Sequence, residues 1–341
     1  MEPDVELSEP IVIEFACPIC KGRLQHGSRG YFCVRDQRVC RVTLGIPDFR
    51  VWPDGLFESE MEHAWTERLE AEYSNASFAE LVDLYASLRP AVPPDVVAKR
   101  RVHMLSAVLR AQSSLAELEQ ITALPRQGQF LEIGCGTGEF LVAAAQVFRS
   151  VVGLDISMPR SVLAKKQLEE TGREALVICA SAEFLPFVND SFHIVVGSDV
   201  IEHVHEQLEV MRETHRVLVP GGALFLATPN RWSLTPEPHV NLWGVGFLPK
   251  AWRTLYVRLV RKVPYQNISL LNWFEMRRLV AQTPFDRWHI VAPTLPSEHT
   301  ARLPAWARCA VPIYHALKER LLLKWLVYFF GPLFHVICIK K

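Results

Sequence analysis

The stretch Leu131-Glu132-Ile133-Gly134-Cys135-Gly136-Thr137-Gly138-Glu139-Phe140-Leu141 constrains this 341-residue chain more than any other. An apolar run, Gln129 to Ile133, ends in glycines at alternate positions. A helical pattern follows at once through Val142 to Phe148. That order predicts a strand, a tight turn and a helix start. Glycine suits backbone that must take unusual dihedrals or lie close to a ligand. The helix start behind it offers free N–H groups. The turn is therefore expected to hold a ligand against bare backbone.

The dinucleotide fingerprint spaces its glycines G-x-G-x-x-G. Here the third glycine comes one residue early, and Glu139 follows it. Val151-Val152-Gly153-Leu154-Asp155 is a second apolar run, ending in a carboxylate about 20 residues on, where a ribose diol is read. Glu132 adds negative charge just before the turn, which suits a cationic ligand better than a pyrophosphate. Together these residues resemble the class I S-adenosylmethionine (SAM)-dependent methyltransferases, whose cofactor is a sulfonium without phosphates.

The resemblance continues in order along the chain. Ala180 to Phe187 is similar to the family's adenine-lining segment, and Phe192 to Ser198 to its fourth strand. Arg216 to Leu226, with Pro220-Gly221-Gly222, is similar to its helix end, turn and fifth strand. Leu333 to Lys341 resembles the last strand, which inserts antiparallel beside Phe285 to Ala292. The resemblance implies an α/β fold with a Rossmann-like seven-stranded core. It implies SAM as cofactor, held by Glu132, Gly134, Cys135, Gly136, Gly138, Asp155, Ile156, Ala182, Glu183 and Ser198. The chain departs from the family at Ser181 and His193, where the family usually has Asp. Serine can still accept the adenine amino hydrogen bond, more weakly.

Three parts follow: a zinc-ribbon-like segment at 12–50, a helical linker or cap at 51–126 and the methyltransferase domain at 127–341. In the first, Cys17-Pro18-Ile19-Cys20 is half of a zinc knuckle and Cys33 begins another half. A complete ribbon would have its last cysteine at 36, but Asp36 stands there and the next cysteine is Cys40. Zinc would thus be held by Cys17, Cys20, Cys33 and one of Asp36 or Cys40; otherwise the ribbon packs without it. In the second part, Glu58 to Tyr73 has helical spacing, and Asp95 is placed to cap a long helix reaching about Leu124.

Acceptor groups belong beyond the carboxyl ends of the fourth and fifth strands. There stand Asp199, Glu202 and His203, spaced D-x-x-E-H, and His239 on a long loop. On a helix start, 199, 202 and 203 would share one face. Glu202, His203 and His239 are the catalytic candidates, the imidazoles as general bases. Asp199, Glu202 and His203 are alternatively a divalent cation site. The phrase is similar to one in ubiquinone-pathway O-methyltransferases and small-RNA 2′-O-methyltransferases, where the matching residues bind Mg²⁺-type ions.

The domain carries an insertion at 232–268, an apolar lid at 296–330 and the last strand at 331–341. Pro249 to Val263 reads as an amphipathic helix. Trp252, Leu255, Leu259, Val260 and Val263 lie on one side, with Lys250, Arg253, Arg258, Arg261 and Lys262 as its cations. It suits an anionic lipid surface, a phosphate-bearing or RNA substrate, or a solvated face over a buried stripe. Leu321 to Ile339 is apolar but interrupted, so no spanning helix is expected.

With 37 Lys+Arg against 37 Asp+Glu, net charge supplies no global pull toward nucleic acid. Met1 to Pro10 is acidic and polar, and the eight cysteines are scattered, which points to a reducing, cytoplasmic location, with peripheral membrane contact open. The leading expectation is O-methylation of a small or lipid-linked metabolite. An RNA methyltransferase and a non-catalytic scaffold are the alternatives, and the oligomeric state is not legible.

Overall fold

The structure, a computed structural model, describes residues 13–27, 30–51, 59–88, 111–112, 115–116, 118–119, 125–293, 305–320 and 322–341. The long helix expected from Asp95, and the first part of the expected apolar lid, lie outside these residues.

The N-terminal segment is built from short strands. β1 (Leu24–Gly27), β2 (Gly30–Cys33) and β3 (Arg38–Cys40) pair antiparallel, and β4 (Val42–Thr43) pairs with β5 (Ile46–Pro47). Two helices follow: α1 (Ser59–Glu72) and α2 (Phe78–Ser87), the second opened by a Ser77–Glu80 capping box.

The core then alternates strand and helix: β6 (Gln129–Ile133), α3 (Glu139–Ala144), β7 (Ser150–Asp155), α4 (Met158–Glu170), β8 (Leu176–Cys179), β9 (Phe192–Ser198), α5 (Gln207–Val217) and β10 (Leu218–Pro229). After the insertion, which contains α6 (Lys250–Arg261), come α7 (Trp273–Ala281) and β11 (Arg287–Val291). The chain ends with α8 (Ala305–Glu319), α9 (Lys324–Phe330) and β12 (Leu333–Ile339).

Among the described residues the main sheet is seven-stranded, in the order β11-β12-β10-β9-β6-β7-β8. The five strands from β10 to β8 run parallel. β12 inserts antiparallel between β10 and β11, as the sequence led us to expect. Phe130, Leu131 and Ile133 of central β6 are all buried, which is why that strand reads as apolar apart from Gln129 and the buried Glu132. Chain order reverses between β6 and β9, so the loops after those strands open a crevice where ligands settle.

The N-terminal segment docks along the β8 edge of this sheet. Phe49 N–H donates to the Cys179 carbonyl at 2.7 Å, and Phe15 packs on Phe187 with ring centroids 5.9 Å apart. Lys21 reaches across to α5, where its ammonium lies 2.5 Å from Glu213, itself paired with Arg216 at 2.7 Å. Burial works against ionised Glu213, but Arg216 and Lys21 outweigh it and hold the carboxyl below its usual range. Its folded pKa is therefore depressed. The pair's stabilisation is present above the unfolded carboxyl value and is lost as pH falls through the folded one. Glu213→Ala is expected to cost about 2–3 kcal/mol by leaving two cations partly buried and unpaired. Urea unfolding at pH 7 and at pH 3 checks this: the gap between variant and wild type should shrink in acid.

The helical cap packs on α4. Leu69, Leu81, Val82 and Tyr85 pack against Met158, Val162 and Leu163 of α4. Among the described residues no helix is long and apolar enough to cross a membrane.

Candidate active site

The glycine turn lies at the carboxyl end of β6. Gly134, Gly136 and Gly138 all have positive φ, at 69°, 55° and 91°. A Cβ on Gly136 would meet nothing within 4 Å, so its backbone borders open space of the kind a ligand fills. A Cβ on Gly134 would instead come within 2.2 Å of Val200, so this turn abuts the loop after β9. Cys135 donates its N–H to the Leu154 carbonyl, and its buried thiol is pushed well up by desolvation, which keeps it protonated.

Two carboxylates face this turn. Asp155, at the end of β7, accepts from Gly136 N at 2.9 Å and from Ser157 N at 2.8 Å. Each oxygen has one backbone partner and retains capacity for another donor. Glu132 is buried, and its Oε2 has no hydrogen-bond partner. Burial first, then the charges of Glu139 and Asp155, drive its carboxyl well above the usual range. An orphaned buried acceptor beside an open glycine cradle fits a cationic ligand carrying its own donors. The backbone carbonyl of Ile156 is taken by Arg50 at 3.3 Å. Ala182 and Glu183 lie on the turn after β8. Glu183 accepts from Ser181 Oγ and, at 2.9 Å, from His205 N, so it braces the loop after β9. Ser198 ends β9 opposite Ala227 of β10. His193 accepts from Gln129 N at 3.2 Å, on the far end of the sheet from this turn.

The loop after β9 carries the second cluster. Glu202, His203 and His239 place one ligand atom each within 4.8 Å of one another. His203 Nε2 and His239 Nε2 are 2.9 Å apart. His239 Nδ1 meets Glu237 Oε1 at 2.5 Å, and Glu237 Oε2 accepts from Val240 N at 3.0 Å. Glu202 Oε2 accepts from Thr228 Oγ1 at 3.0 Å, while its Oε1 has no partner. Burial and then the Asp199 charge push the Glu202 carboxyl up to about 7. Burial also pushes His203 down to about 4, with His239 adding to the effect. For His239 burial acts the same way, but the Glu237 hydrogen bond and the carboxylates of Glu237, Glu202 and Asp199 prevail and raise it.

One sequence expectation needs correction here. The three catalytic candidates, Glu202, His203 and His239, are the residues whose ligand atoms converge; Asp199 is not in that group, though its charge acts on Glu202 and His239. Residues 199–203 do not begin a helix, since α5 starts only at Gln207. Asp199 takes a left-handed φ of 54°, which swings the chain out of β9 into a turn, so 199 and 202 never stack on one helical face.

The cysteine cluster resolves the choice the spacing left open. Cys17, Cys20, Cys33 and Asp36 converge, with Cys20 and Cys33 sulfurs 3.5 Å apart and Cys17 donating to Asp36 at 2.8 Å. Cys40 is the correction. It lies on β3, buried in the main core beside Phe49, and burial pushes its thiol up to about 11. The tight turn between Cys33 and Arg38, with Gln37 at φ 57°, brings Asp36 back to the sulfurs and turns Cys40 inward.

The insertion departs from the ordinary amphipathic plan. Val257 is the buried residue of α6. Most of its apolar stripe faces out: Trp252 is 65% and Leu259 68% exposed, with Leu255 and Val260 also exposed, while Val263 just beyond it packs partly buried beside Val257. The reading of a solvated cationic face over a buried stripe is therefore overturned. Sequence reasoning also passed over Glu237 as the partner of His239 and Thr228 as that of Glu202. Thr228 lies at the end of the fifth core strand and Glu237 stands in the loop beyond it; for Glu237, a carboxylate two residues before a histidine was the available signal.

Comparison with known proteins bears on the segment that builds this site. Residues 131–226 match the family described as a methyltransferase domain. The ubiquinone biosynthesis O-methyltransferase of Ruegeria pomeroyi is 34% identical over 103 residues, which cover 30% of this chain and 42% of that protein. The Brucella ovis protein of the same description is 32% identical over 108 residues, covering 31% and 44%. The chain thus spans under half the length of the curated relatives it matches. Among solved structures, Haemonchus contortus phosphoethanolamine N-methyltransferase 2 in complex with SAM superposes with a TM-score of 0.45 at 17% identity, covering 67% of this chain and 52% of that one. The glycine turn, the carboxylate-ended β7 and the antiparallel last strand, with the matched segment, make this a class I SAM-dependent methyltransferase fold distantly homologous to the ubiquinone-pathway O-methyltransferases.

Proposed function

We propose that this chain transfers a methyl group from SAM to a hydroxyl of a small or lipid-linked acceptor. The observation that carries the reading is the contact between the two halves of the site. The cofactor turn touches the loop bearing Glu202 and His203 through Gly134 and Val200. When bound, the sulfonium supplies an activated methyl carbon. The protein's task is then to align the acceptor and take its proton. Asp155 would receive the ribose hydroxyls, and the orphaned Glu132 Oε2 would receive the cofactor's ammonium. The Gly134, Gly136 and Gly138 backbone, Cys135, Ile156, Ala182, Glu183 and Ser198 line the remainder.

Glu202, His203 and His239 form the acceptor-activating cluster. The converging Glu202, His203 and His239, the orphaned Glu202 Oε1 and the Glu237 bond that orients His239 would together hold a divalent cation, of the Mg²⁺ type if the resemblance to ubiquinone-pathway O-methyltransferases carries over. Such an ion would lower the acceptor hydroxyl's pKa. Without it, an imidazole takes the proton directly.

The parts divide as ribbon (12–50), cap (51–126) and catalytic domain (127–341). The ribbon's Cys17, Cys20, Cys33 and Asp36 suit a structural zinc. Purified protein is expected to contain one zinc per chain. Cys33→Ser should remove it and lower the melting temperature by about 5 °C or more, read by metal analysis and calorimetry.

A lipid-linked acceptor is supported by α6. Its exposed Trp252, Leu255 and Leu259 lie opposite buried Val257, and the first turn of the helix carries no acid. Outward apolar side chains beside cations suit an anionic bilayer surface. The insertion that carries α6 also supplies His239. The test is acceptor sorting: methyl-labelled SAM is incubated with the protein and separated lipid, small-metabolite, RNA and protein fractions. Label in lipid or small metabolites supports the proposal. Label in RNA replaces it with the nucleic-acid reading. No label and no SAM binding leaves a scaffold.

A further inference from the structure

The cofactor-facing carboxylate does not stand by itself. Ser157 N holds Asp155 Oδ1, and Ser157 Oγ donates to Glu62 Oε1 at 3.0 Å. Glu62 belongs to α1 and is only 3% exposed, with Oε2 3.7 Å from Arg50 Nη1. The same Arg50 nitrogen donates to the Ile156 carbonyl at 3.3 Å. All three residues of the turn, 155, 156 and 157, are thus anchored, and two of the anchors come from outside the segment that matches the methyltransferase family.

Those anchors are themselves held. Arg50 is gripped by Asp48 through two bonds, Nε to Oδ1 at 2.9 Å and Nη2 to Oδ2 at 2.7 Å. Asp48 bridges to Cys179 in parallel, and Phe49 N donates to the Cys179 carbonyl, so this backbone extends the sheet at the end of β8. A planar guanidinium gripped in this way keeps its direction, which lysine cannot reproduce. Burying Glu62 beside Asp155 costs free energy that the sheet and the cap packing alone do not require. Burial, with the Asp155 charge adding to it, raises the Glu62 carboxyl, while Ser157 and Arg50 oppose that rise.

We propose that Arg50 and Glu62 are positioning residues of the cofactor site: supplied by the ribbon's tail and the first cap helix, they hold the 155–157 turn so that Asp155 meets the cofactor ribose. This rests on the SAM reading given above. Under it, the N-terminal segments are a working part of the catalytic domain and not an appendage beside it.

The test is calorimetric titration of the full chain with SAM and with S-adenosylhomocysteine, each variant checked by its melting temperature. Arg50→Ala and Glu62→Ala are each expected to weaken both ligands about tenfold, as loss of an outer supporting group does. Glu62→Gln, whose amide oxygen still accepts from Ser157 Oγ, should recover most of the loss. Asp155→Asn supplies the background for a double-mutant cycle. If Arg50 acts through Asp155, adding Arg50→Ala to Asp155→Asn should weaken binding by less than about threefold. Affinity within twofold of wild type in Arg50→Ala, or a full tenfold loss in the Asp155→Asn background, overturns the proposal. Should Arg50→Ala not fold, Arg50→Lys carries the same comparison. Absence of SAM binding in the wild type overturns the cofactor reading, and this inference falls with it.

Discussion

Asp155→Ala is expected to raise the dissociation constant for SAM by at least about 100-fold. Two hydroxyls donating to one carboxylate are hydrogen bonds to a charged acceptor, worth about 1.5–3 kcal/mol each. Their joint loss, about 3 kcal/mol or more, is a factor of at least about 100 in affinity. The same substitution removes the partners of Gly136 N and Ser157 N. Asp155→Asn is therefore the companion variant, since its amide oxygen still accepts and its affinity should fall less. Calorimetric titration reads the loss, and the circular dichroism spectrum reports whether the sheet persists. Normal SAM binding by a folded Asp155→Ala protein would remove SAM from this site.

His203→Ala and His239→Ala are expected to lower turnover by about 10² to 10⁴ while SAM affinity stays within about twofold of wild type. Both imidazoles belong to the loop and insertion beyond the cofactor turn, and the cofactor-facing carboxylates lie elsewhere. Chelation separates the two roles of the cluster. If Glu202, His203 and His239 hold a cation, protein treated with a chelator loses turnover and recovers it with Mg²⁺. The thiolate cluster does not confuse this result, because sulfur ligands do not favour Mg²⁺. Turnover that survives chelation but falls in His203→Ala would assign the proton directly to imidazole. Glu237→Gln gives a further check. It keeps an acceptor for His239 but removes the charge that helps raise that imidazole, so a decrease of about tenfold or more in turnover is expected, again with SAM affinity unchanged. If none of these substitutions changes turnover, the cluster is structural and the acceptor is activated elsewhere.

Much of the cofactor half was legible from residue order, because it is local. A strand, a glycine turn and a helix start are adjacent in sequence, and Asp155 ends the next strand at a distance set by one crossover. The antiparallel insertion of β12 was legible too, through its resemblance to a known last strand. In the acceptor half, Glu202, His203 and His239 were marked by their place after the fourth and fifth strands, and they converge although His203 and His239 lie 36 residues apart in sequence. The shared helical face of Asp199 and Glu202 was not legible, because the left-handed backbone at Asp199 removes the helix. The ribbon shows the same limit. Asp36 and Cys40 both lie within reach of Cys33 along the chain, and only the turn between β2 and β3 decides which faces the sulfurs.

By itself, then, the order of residues determined the strand, glycine turn and helix start and the carboxylate that ends the next strand, and its resemblance to a known family implied the α/β core. The local elements follow from short-range periodicity and backbone freedom, which a few neighbouring residues set. Tertiary structure alone decided three things: that Asp36 and not Cys40 joins the ribbon's sulfurs, that Arg50 and Glu62 reach the turn after β7, and that most of the apolar stripe of α6 faces outward. Helical spacing puts Trp252, Leu255 and Leu259 on one face but is indifferent to whether that face meets the core or the solvent. That choice rests on where the insertion folds back: Val257 packs with Val240, Val245 and Tyr265, and this small cluster uses the opposite side of the helix.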